Sequence, residues 1–305
     1  MEKTVDILGV GSVTIDDLLF VDDYPPADTK MPIRSSQRQI GGLVATALVT
    51  AARLGCSTAY AGVLGDDELS RAVESGLSRQ GVDLTYVVRR SDARPIHAYV
   101  IVAQRPPTRT IIFENNGVCG ADPLLPDESV VRSARAVLID NWGIDGTIRL
   151  SRIARDAGIP VIADFDFDNV PNFRELLALS DHLILSQRFA ATLVGEGNPS
   201  ALAQRLWTDD RQVVVITCGL DGSWYITRDD PTPHHQIAFQ VNTVDSTGCG
   251  DVFHGAYAVT LVRGFSVGER IRFASAAAAI KATQPGGQAG IPTWDAVQRF
   301  LSEHA

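Results

Sequence analysis

Lysine is scarce in this chain, and long uncharged apolar runs are absent. Among 305 residues, lysine occurs only at Lys3, Lys30 and Lys281. None of the three stands in the pattern G-x-x-x-x-G-K-[ST], which excludes a P-loop NTPase, and Schiff-base catalysis has few candidate nucleophiles. No stretch of about 18 apolar residues occurs, and no basic segment precedes an apolar core near the start. We therefore expect a cytoplasmic protein without a membrane-spanning helix or a secretory leader.

Cysteine and clustered positive charge are also in short supply. The four cysteines are Cys56, Cys119, Cys218 and Cys249, which lie far apart and form no C-x-x-C pair. This spacing favours reduced thiols over a structural zinc site or a disulfide framework. The net charge is −9, and no run of lysine and arginine occurs. We therefore expect neither nucleic acid nor a membrane as a partner.

Short apolar runs of strand length alternate with helical stretches over most of the chain. The pattern predicts strands over 5–10, 58–63, 136–139, 160–165, 182–185 and 212–217, and helices over 44–54, 67–80, 148–157, 173–179, 187–194 and 200–208. This alternation is typical of the α/β class, in which helices cover both faces of a mostly parallel sheet. The hydrophobic content of 45% is sufficient for a large core.

Two stretches, 17–39 and 96–113, interrupt this alternation. They lack helical spacing and contain runs of β-forming residues, as at 97–102. We expect them to form a small separate sheet, which would be a lid on a core made of 1–16, 40–95 and 114–305. A pair of edge hairpins without a gating role is the alternative.

The segment 244–258 carries the most informative chemical pattern. Gly248 and Gly250 flank Cys249 directly before a helix rich in small and apolar residues. Backbone N–H groups at such a helix start can point at one anion. Asp251 falls in the first helical turn, where the helix dipole favours an ionised carboxylate that can act as a general base. A base beside an anion cradle indicates phosphoryl transfer, and a plain glycine turn with a capping aspartate is the alternative.

Residues 245–256 resemble the signature D-[TS]-T-G-x-G-D-x-F-x-G-A of the ribokinase-like, or PfkB, family of carbohydrate kinases. A second match lies at 41–55, which is similar to the family's G-G-x-x-A-N-x-A-x-x-x-A-R-L-G, and the family's G-D-D follows at 65–67. The resemblance implies a Rossmann-like central sheet with a small β lid. It also implies an ATP- and Mg²⁺-dependent kinase that phosphorylates a primary hydroxyl of a sugar, with Asp251 as the base and Gly248, Cys249 and Gly250 as the anion hole.

The resemblance places sugar recognition in the N-terminal half. Asp16 would accept hydrogen bonds from sugar hydroxyls, and Gly41 and Gly42 would let the substrate approach the backbone closely. A loop carboxylate that caps its own backbone is the alternative for Asp16. Thr46 stands where the family usually has asparagine, so the usual pattern of sugar hydrogen bonds is in doubt.

The same resemblance assigns the nucleotide site to a later segment. Thr217, Gly219 and Gly222 match the family's T-x-G-x-x-G turn and would approach ATP. Ser186 matches the first position of the family's N-x-x-E segment only weakly, and Phe189 replaces its carboxylate, so Mg²⁺ would be held mainly by phosphates and water. The small-residue helix at 272–283 would wall the adenine pocket, and a plain core helix is the alternative.

The glycine loop at 285–292 resembles a segment that supplies carbonyl groups to a monovalent cation, K⁺, together with Asp245 and Thr247. Three other polar segments are expected to be structural. The acids at 164–168 would form a solvated strand end, His234 and His235 a surface turn, and His254 a packed histidine behind the site.

The identity of the substrate stays open on the sequence. The closest resemblance is to sulfofructose kinases and ketohexokinase-like enzymes, and a sulfonated sugar needs a cationic pocket. Four arginines in the lid stretches are candidates for it, namely Arg34, Arg38, Arg105 and Arg109. A nucleoside kinase with Tyr24 or Tyr99 stacked on the base is one alternative, and a catalytically silent sugar sensor is another. The apolar character of the lid stretch at 96–113 permits a homodimer.

Overall fold

The structure is a computed structural model that describes residues 3–105 and 107–304. Residues 1, 2, 106 and 305, which the predicted core and lid include, lie outside the described residues. The strands are β1 Val5–Val10, β2 Thr14–Asp23, β3 Ser35–Gly41, β4 Thr58–Tyr60, β5 Val63–Leu64, β6 Val82–Asp83, β7 Val88–Arg89, β8 Ile96–Arg105, β9 Pro107–Glu114, β10 Ala134–Ile139, β11 Val161–Asp164, β12 His182–Ser186, β13 Val213–Thr217, β14 Ser223–Thr227 and β15 His234–Gln236. The helices are α1 Leu43–Arg53, α2 Glu68–Arg79, α3 Glu128–Arg132, α4 Ile144–Asp156, α5 Phe173–Ala178, α6 Gln187–Val194, α7 Pro199–Leu206, α8 Cys249–Val262, α9 Val267–Ala282 and α10 Trp294–Glu303.

The central sheet confirms the predicted α/β class. Within the described residues it has nine strands in the order β15-β14-β13-β12-β11-β10-β1-β4-β6. Strands β13 through β6 in that order run parallel, and β14 and β15 add an antiparallel edge. Hydrophobic clusters lie on both faces of the sheet. Burial on both faces explains why the central strands read as continuous apolar runs.

Two local predictions are wrong. The predicted strand 58–63 divides, because β4 pairs with β1 while β5 pairs with β7 in a separate sheet. The break falls at Gly62, where a Cβ would lie 2.1 Å from Tyr60 Oη. His234 and His235 do not form a surface turn but lie in β15, because their rings stack on the aromatic side chains of β14.

The predicted small sheet is present and has the order β3-β2-β8-β9. Its strands extend beyond 17–39 and 96–113 to Thr14, Gly41 and Glu114. Asp16 pairs with Gln39 and Ala98, and the next residue, Asp17, pairs with Arg38 and Tyr99. Because side chains alternate along a strand, these two sets lie on opposite faces of the sheet.

Helix α8 is buried over most of its length and packs against α1 and α9. The approach of α8 to α1 is closest at Gly255, where a Cβ would lie 2.3 Å from the carbonyl oxygen of Ala47. Because α8 is apolar on all sides, it has no polar face toward water, and its position is determined by packing against neighbouring elements. The contact fixes the start of α8, which carries Asp251, relative to α1, which follows Gly41 and Gly42. Among the described residues, no helix is both long enough and apolar enough to span a membrane.

We predict that Gly255→Ala lowers the free energy of unfolding by about 1–3 kcal/mol, because the added methyl group overpacks the contact with Ala47. Gly268→Ala is the matched control, since Gly268 is an exposed helical glycine whose Cβ would meet no backbone within 3.4 Å. The control should leave stability unchanged or raise it by up to about 1 kcal/mol. Urea unfolding of both variants measures the difference, and equal stabilities would contradict the close approach of the two helices.

Candidate active site

The loop before α8 and the first turn of α8 form a concave backbone surface. Gly248 caps the helix with a φ of 76°, and a Cβ there would lie 2.6 Å from the carbonyl oxygen of Gly287. At Gly250 a Cβ would meet nothing within 4 Å. Gly248 therefore lets two loops approach, whereas Gly250 leaves open space in front of the helix start.

The amides of this turn are divided between the fold and the cleft. The N–H of Cys249 donates to the carbonyl oxygen of Ser246 at 3.2 Å. The amides of Gly248, Gly250 and Asp251 have no acceptor among the described residues. Unpaired N–H groups at the positive end of a helix form an anion site. The predicted anion hole thus differs in one respect, since the Cys249 amide is already bonded.

Asp251 has a carboxylate without a hydrogen-bond partner among the described residues. The residue is half-buried at the start of α8. Burial raises the pKa of Asp251 well above its usual range, and the charges of Asp164 and Asp166 raise it further. Burial and the two neighbouring carboxylates thus act against the helix dipole, which favours the ionised form.

Asp164 belongs to the same site, and the expectation of a solvated strand end is wrong for it. It lies at the end of β11 and is 7% exposed. Its Oδ2 is 3.2 Å from Nδ1 of His254, which is 2.9 Å from the carbonyl oxygen of Gly250. Nε2 of His254 lies 3.1 Å from the carbonyl oxygen of Ile184. His254 is therefore the packed histidine that we expected, and it ties β11 and β12 to the helix that carries Asp251.

Asp140 is a further carboxylate that the sequence reasoning missed. It follows β10, is fully buried, and accepts hydrogen bonds from the amides of Ser12 at 2.6 Å and Trp142 at 2.9 Å. Burial raises the pKa of Asp140 to about 7. In the sequence, only the position of Asp140 directly after a predicted strand could have indicated its place in the site, because the carboxyl ends of parallel strands meet at one edge of a sheet.

Asp16 lies on the small sheet and faces the same cleft. It is half-buried and accepts a hydrogen bond from Thr14 Oγ1 at 2.6 Å. A Cβ at Gly41 would lie 2.2 Å from Asp16 Oδ2, and Gly42 has a φ of 100°. Burial raises the pKa of Asp16, and its charge contributes to the raised pKa of Asp251. Asp16 therefore bonds a neighbouring side chain rather than capping its own backbone.

Two glutamines and Thr46 join this part of the cleft to the 285–292 loop. Thr46 is 1% exposed inside α1, and its hydroxyl accepts from Gln288 Nε2 at 3.3 Å. Gln39 Oε1 accepts from the amide of Gly287 at 3.2 Å, and Gln39 Nε2 is buried. Nε2 acts on the carboxylate of Asp16, because the Gln39 side chain lowers the pKa of Asp16 against the larger effect of burial. Sequence reasoning missed Gln39, because only the pairing of β3 with β2 places it opposite Asp16.

A cavity of about 420 Å³ lies beside the anion site. Its lining includes Thr217, Gly219, Gly222, Cys249 and Gly250 on one side and the α9 residues Ser275, Ala278, Ala279 and Ala282 on another. The predicted nucleotide residues and the anion turn therefore line one space of a size typical for a small ligand. The predicted wall at 272–283 forms part of that space.

A second, open cavity of about 680 Å³ adjoins the first at Thr217 and contains Ser186 and Arg188. Ser186 also caps α6, because its hydroxyl accepts from the amide of Phe189 at 3.2 Å. Phe189 is 5% exposed and packs in the core. No carboxylate thus stands at this position of α6.

Asp245 is held by hydrogen bonds on both of its carboxylate oxygens. Oδ1 accepts from the amide of Thr247 at 2.8 Å and from its hydroxyl at 2.7 Å, and Oδ2 accepts from the amide of Gly286 at 2.8 Å. These hydrogen bonds keep the pKa of Asp245 below its usual value despite its burial. Among residues 3–105 and 107–304, no three His, Cys, Asp or Glu side chains converge as ligands of a metal ion.

The four lid arginines divide into two groups. Arg34, Arg38 and Arg105 form ion pairs with the lid carboxylates of Asp22, Asp17 and Asp23 at 3.1, 2.7 and 3.2 Å. Arg109 instead crosses to the core, where Nη1 donates to Thr247 Oγ1 at 2.7 Å. The lid therefore offers the site one guanidinium rather than a cluster of four.

Comparison with known proteins identifies the family. Residues 5–294 match the model of the pfkB family carbohydrate kinases. A ribokinase from Haemophilus influenzae is 27% identical over 318 residues, with 100% of each chain covered. A 2-dehydro-3-deoxygalactonokinase from Haloferax volcanii is 31% identical over 288 residues, which cover 88% of this chain and 89% of the relative.

The fold agrees with that assignment. The structure of an Arabidopsis thaliana ribokinase complexed with ribose and ATP superposes with a TM-score of 0.83 and 26% identity, covering 99% of each chain. The sheet order, the separate four-stranded sheet and the turn before α8 are thus parts of a ribokinase-like fold. The chain belongs to the pfkB family of carbohydrate kinases.

Proposed function

We propose that this kinase transfers the γ-phosphoryl group of ATP to a primary hydroxyl of a sugar. The observation that carries the proposal is the unpartnered carboxylate of Asp251 beside the free amide of Gly250, at one end of a nucleotide-sized cavity. The related Arabidopsis thaliana ribokinase has been determined with ribose and ATP. A silent sugar sensor is disfavoured, because it has no need of an unpaired base at this position.

Asp251 acts as the general base. It takes the proton of the sugar hydroxyl while the hydroxyl oxygen forms a bond to the γ-phosphorus, and the bond from that phosphorus to the bridging oxygen breaks to release ADP. Burial and the nearby carboxylates make Asp251 a stronger base than an exposed aspartate. The amides of Gly248 and Gly250 stabilise the charge on the transferring group, with Cys249 in the turn between them.

ATP occupies the cavity between the Thr217 turn and α9. Gly219 and Gly222 let the nucleotide lie against the backbone, and the small side chains of α9 leave room for a flat ring. Ser186 lies next to Thr217 in the adjoining cavity and faces the phosphates.

Magnesium completes the proposed cofactors. The described residues offer no converging set of three ligands, so the ion would be held mainly by nucleotide phosphates and water, with Asp164 and Asp166 facing it. The carboxylates near Asp251 fit a divalent cation, because burial, and then the charges of Asp166 and Asp140, raise the pKa of Asp164. Bound Mg²⁺ would supply neutralisation of the phosphate charge.

The sugar lies between Asp16, Gly41, Gly42 and the 285–292 loop. Asp16 accepts from sugar hydroxyls, and the buried Nε2 of Gln39, which also acts on Asp16, donates to another. Thr46 acts through Gln288, because its own hydroxyl is buried inside α1. These polar groups suit the hydroxyl groups of a neutral sugar, and a ketohexose is the acceptor that we propose from the sequence resemblance.

A sulfonated ketohexose is the second candidate, and Arg109 favours it. Its guanidinium is the lid cation that contacts the core, and it forms no ion pair among the described residues. The nucleoside alternative lacks such support. Tyr99 lies on the opposite face of the small sheet from Asp16, and its ring centroid is 4.4 Å from that of His97. Tyr24, the other candidate for stacking on a base, is 47% exposed.

Three further expectations stay predictions. K⁺ beside Asp245 and Thr247 would have to compete with the amide and hydroxyl donors that already bond Asp245. A homodimer through the lid is supported by the exposed apolar residues at 111–113 of the edge strand β9. The cytoplasmic location rests on the sequence alone.

We predict that Asp251→Asn lowers kcat by about 10²–10⁴-fold, because the amide cannot accept the hydroxyl proton. ADP release is measured over fructose, sulfofructose, ribose and adenosine, with wild-type enzyme and the variant in parallel. Binding of a nonhydrolysable ATP analogue, followed by thermal shift, should persist in the variant. Near-normal turnover of Asp251→Asn would show that Asp251 is not the general base. Wild-type activity on adenosine alone would show that the acceptor is a nucleoside and not a sugar.

We further predict that the acid limb of the kcat/KM profile lies above the ordinary titration range of a carboxyl group. Because the charge of Asp166 raises the pKa of Asp251, Asp166→Asn should move the midpoint of this limb down by about half a pH unit. Asp168→Asn is the control, since Asp168 is also exposed and lies only two residues away. A midpoint that both variants leave in place would assign the limb to another group.

A further inference from the structure

Lys281 is the most unusual charged residue near the site. It lies in the last turn of α9, and its side chain is 0% exposed, although lysine is rarely buried in proteins. Its Nζ donates to the backbone carbonyl oxygen of Asp245 at 2.8 Å. A buried ammonium with one carbonyl partner is costly unless negative groups surround it.

Negative groups do surround Lys281. Burial lowers its pKa, whereas the charges of Asp245 and Asp251 oppose that change. Arg109 is the one cation that adds to the lowering. The buried ammonium therefore lies beside the anion turn, near Asp251, the base of the proposed phosphoryl transfer.

The contact with Lys281 completes the attachment of Asp245. The amide of Asp245 donates to the carbonyl oxygen of Ala282 at 3.1 Å. Its carboxylate accepts from Thr247 and Gly286, and its carbonyl oxygen accepts from Lys281. Every polar group of Asp245 is thus engaged, and α9 supplies two of the partners.

We propose that Lys281 is a positioning residue whose buried ammonium fixes the start of the 245–250 turn and takes the place of a soluble monovalent cation at this site. The inference rests on the proposed function, because the turn matters for catalysis only if it binds the transferring group. With the ammonium attached to α9, the amides of Gly248 and Gly250 keep their direction without K⁺ or any other added ion.

The test compares monovalent cations in wild-type enzyme and in Lys281 variants. Wild-type kcat should be the same, within about twofold, in tetramethylammonium, Na⁺, K⁺ and NH₄⁺ chloride. Lys281→Met should lower kcat by about 100-fold, because it removes a preorganised charge. Lys281→Ala leaves a space for a small cation. The kcat of this variant should therefore be at least about tenfold higher in NH₄⁺ or K⁺ chloride than in tetramethylammonium chloride.

Arg211→Met is the matched control. Arg211 is also buried and donates to backbone carbonyls, those of Leu177, Ser180 and Leu206, but it lies at the edge where β12 and β13 begin. Removing it should lower stability without making kcat depend on the cation. Rescue by NH₄⁺ in Arg211→Met to the same extent would show a general salt effect and overturn the proposal.

A second measurement is independent of turnover. The melting temperature of Lys281→Ala should rise with NH₄⁺ or K⁺ relative to tetramethylammonium at equal ionic strength, whereas wild type and Arg211→Met should not respond. Absence of that rise, or a wild-type kcat that needs K⁺, overturns the inference. If wild type releases no ADP with any acceptor, the proposed function fails, and the melting temperatures still decide whether Lys281 replaces a cation.

Discussion

Negative charge gathered at the carboxyl edge of the central sheet is the constraint on which the rest of the site depends. Asp140 follows β10, Asp164 ends β11, and Asp251 begins α8 at the same edge. Parallel strands bring these groups together whatever their separation in sequence. Burial raises the pKa of all three, and the charge of Asp166 raises each of them further. The surroundings must therefore supply positive partners, and the unpaired backbone amides of the α8 turn are among those that the described residues provide.

The small sheet adds to this edge selectively. Because side chains alternate between the two faces of the sheet, Asp16 and Gln39 lie on the face toward the cleft, and Asp17 pairs with Arg38 on the other face. Three of the four lid arginines are neutralised by carboxylates of the same sheet, so only Arg109 brings uncompensated positive charge to the core. In the part of the chain that the structure describes, the arginines of the small sheet therefore form no cluster of free positive charge.

The sequence was sufficient for the parts of the site that are continuous along the chain. The turn at 248–251 could be predicted because its glycines, its helix start and its carboxylate are neighbours. Asp164 could not, because a strand end looks solvated until His254 of a distant helix is known to pack on it. Gln39 and Lys281 were missed for the same reason, since each contacts a segment that lies far away in sequence. His235 was misread because its partner strand carries the aromatic ring on which it stacks.

Close helix packing then links the two halves of the cleft. Gly42 and Gly248 each stand directly before a helix, α1 and α8, so two helix starts face the same space. The distance between these helices is set by Gly255, which leaves no room for a side chain against Ala47. Because interiors are densely packed, this contact cannot lengthen or shorten freely. The position of the α8 start, which carries Asp251, relative to the α1 start is therefore determined by the buried core.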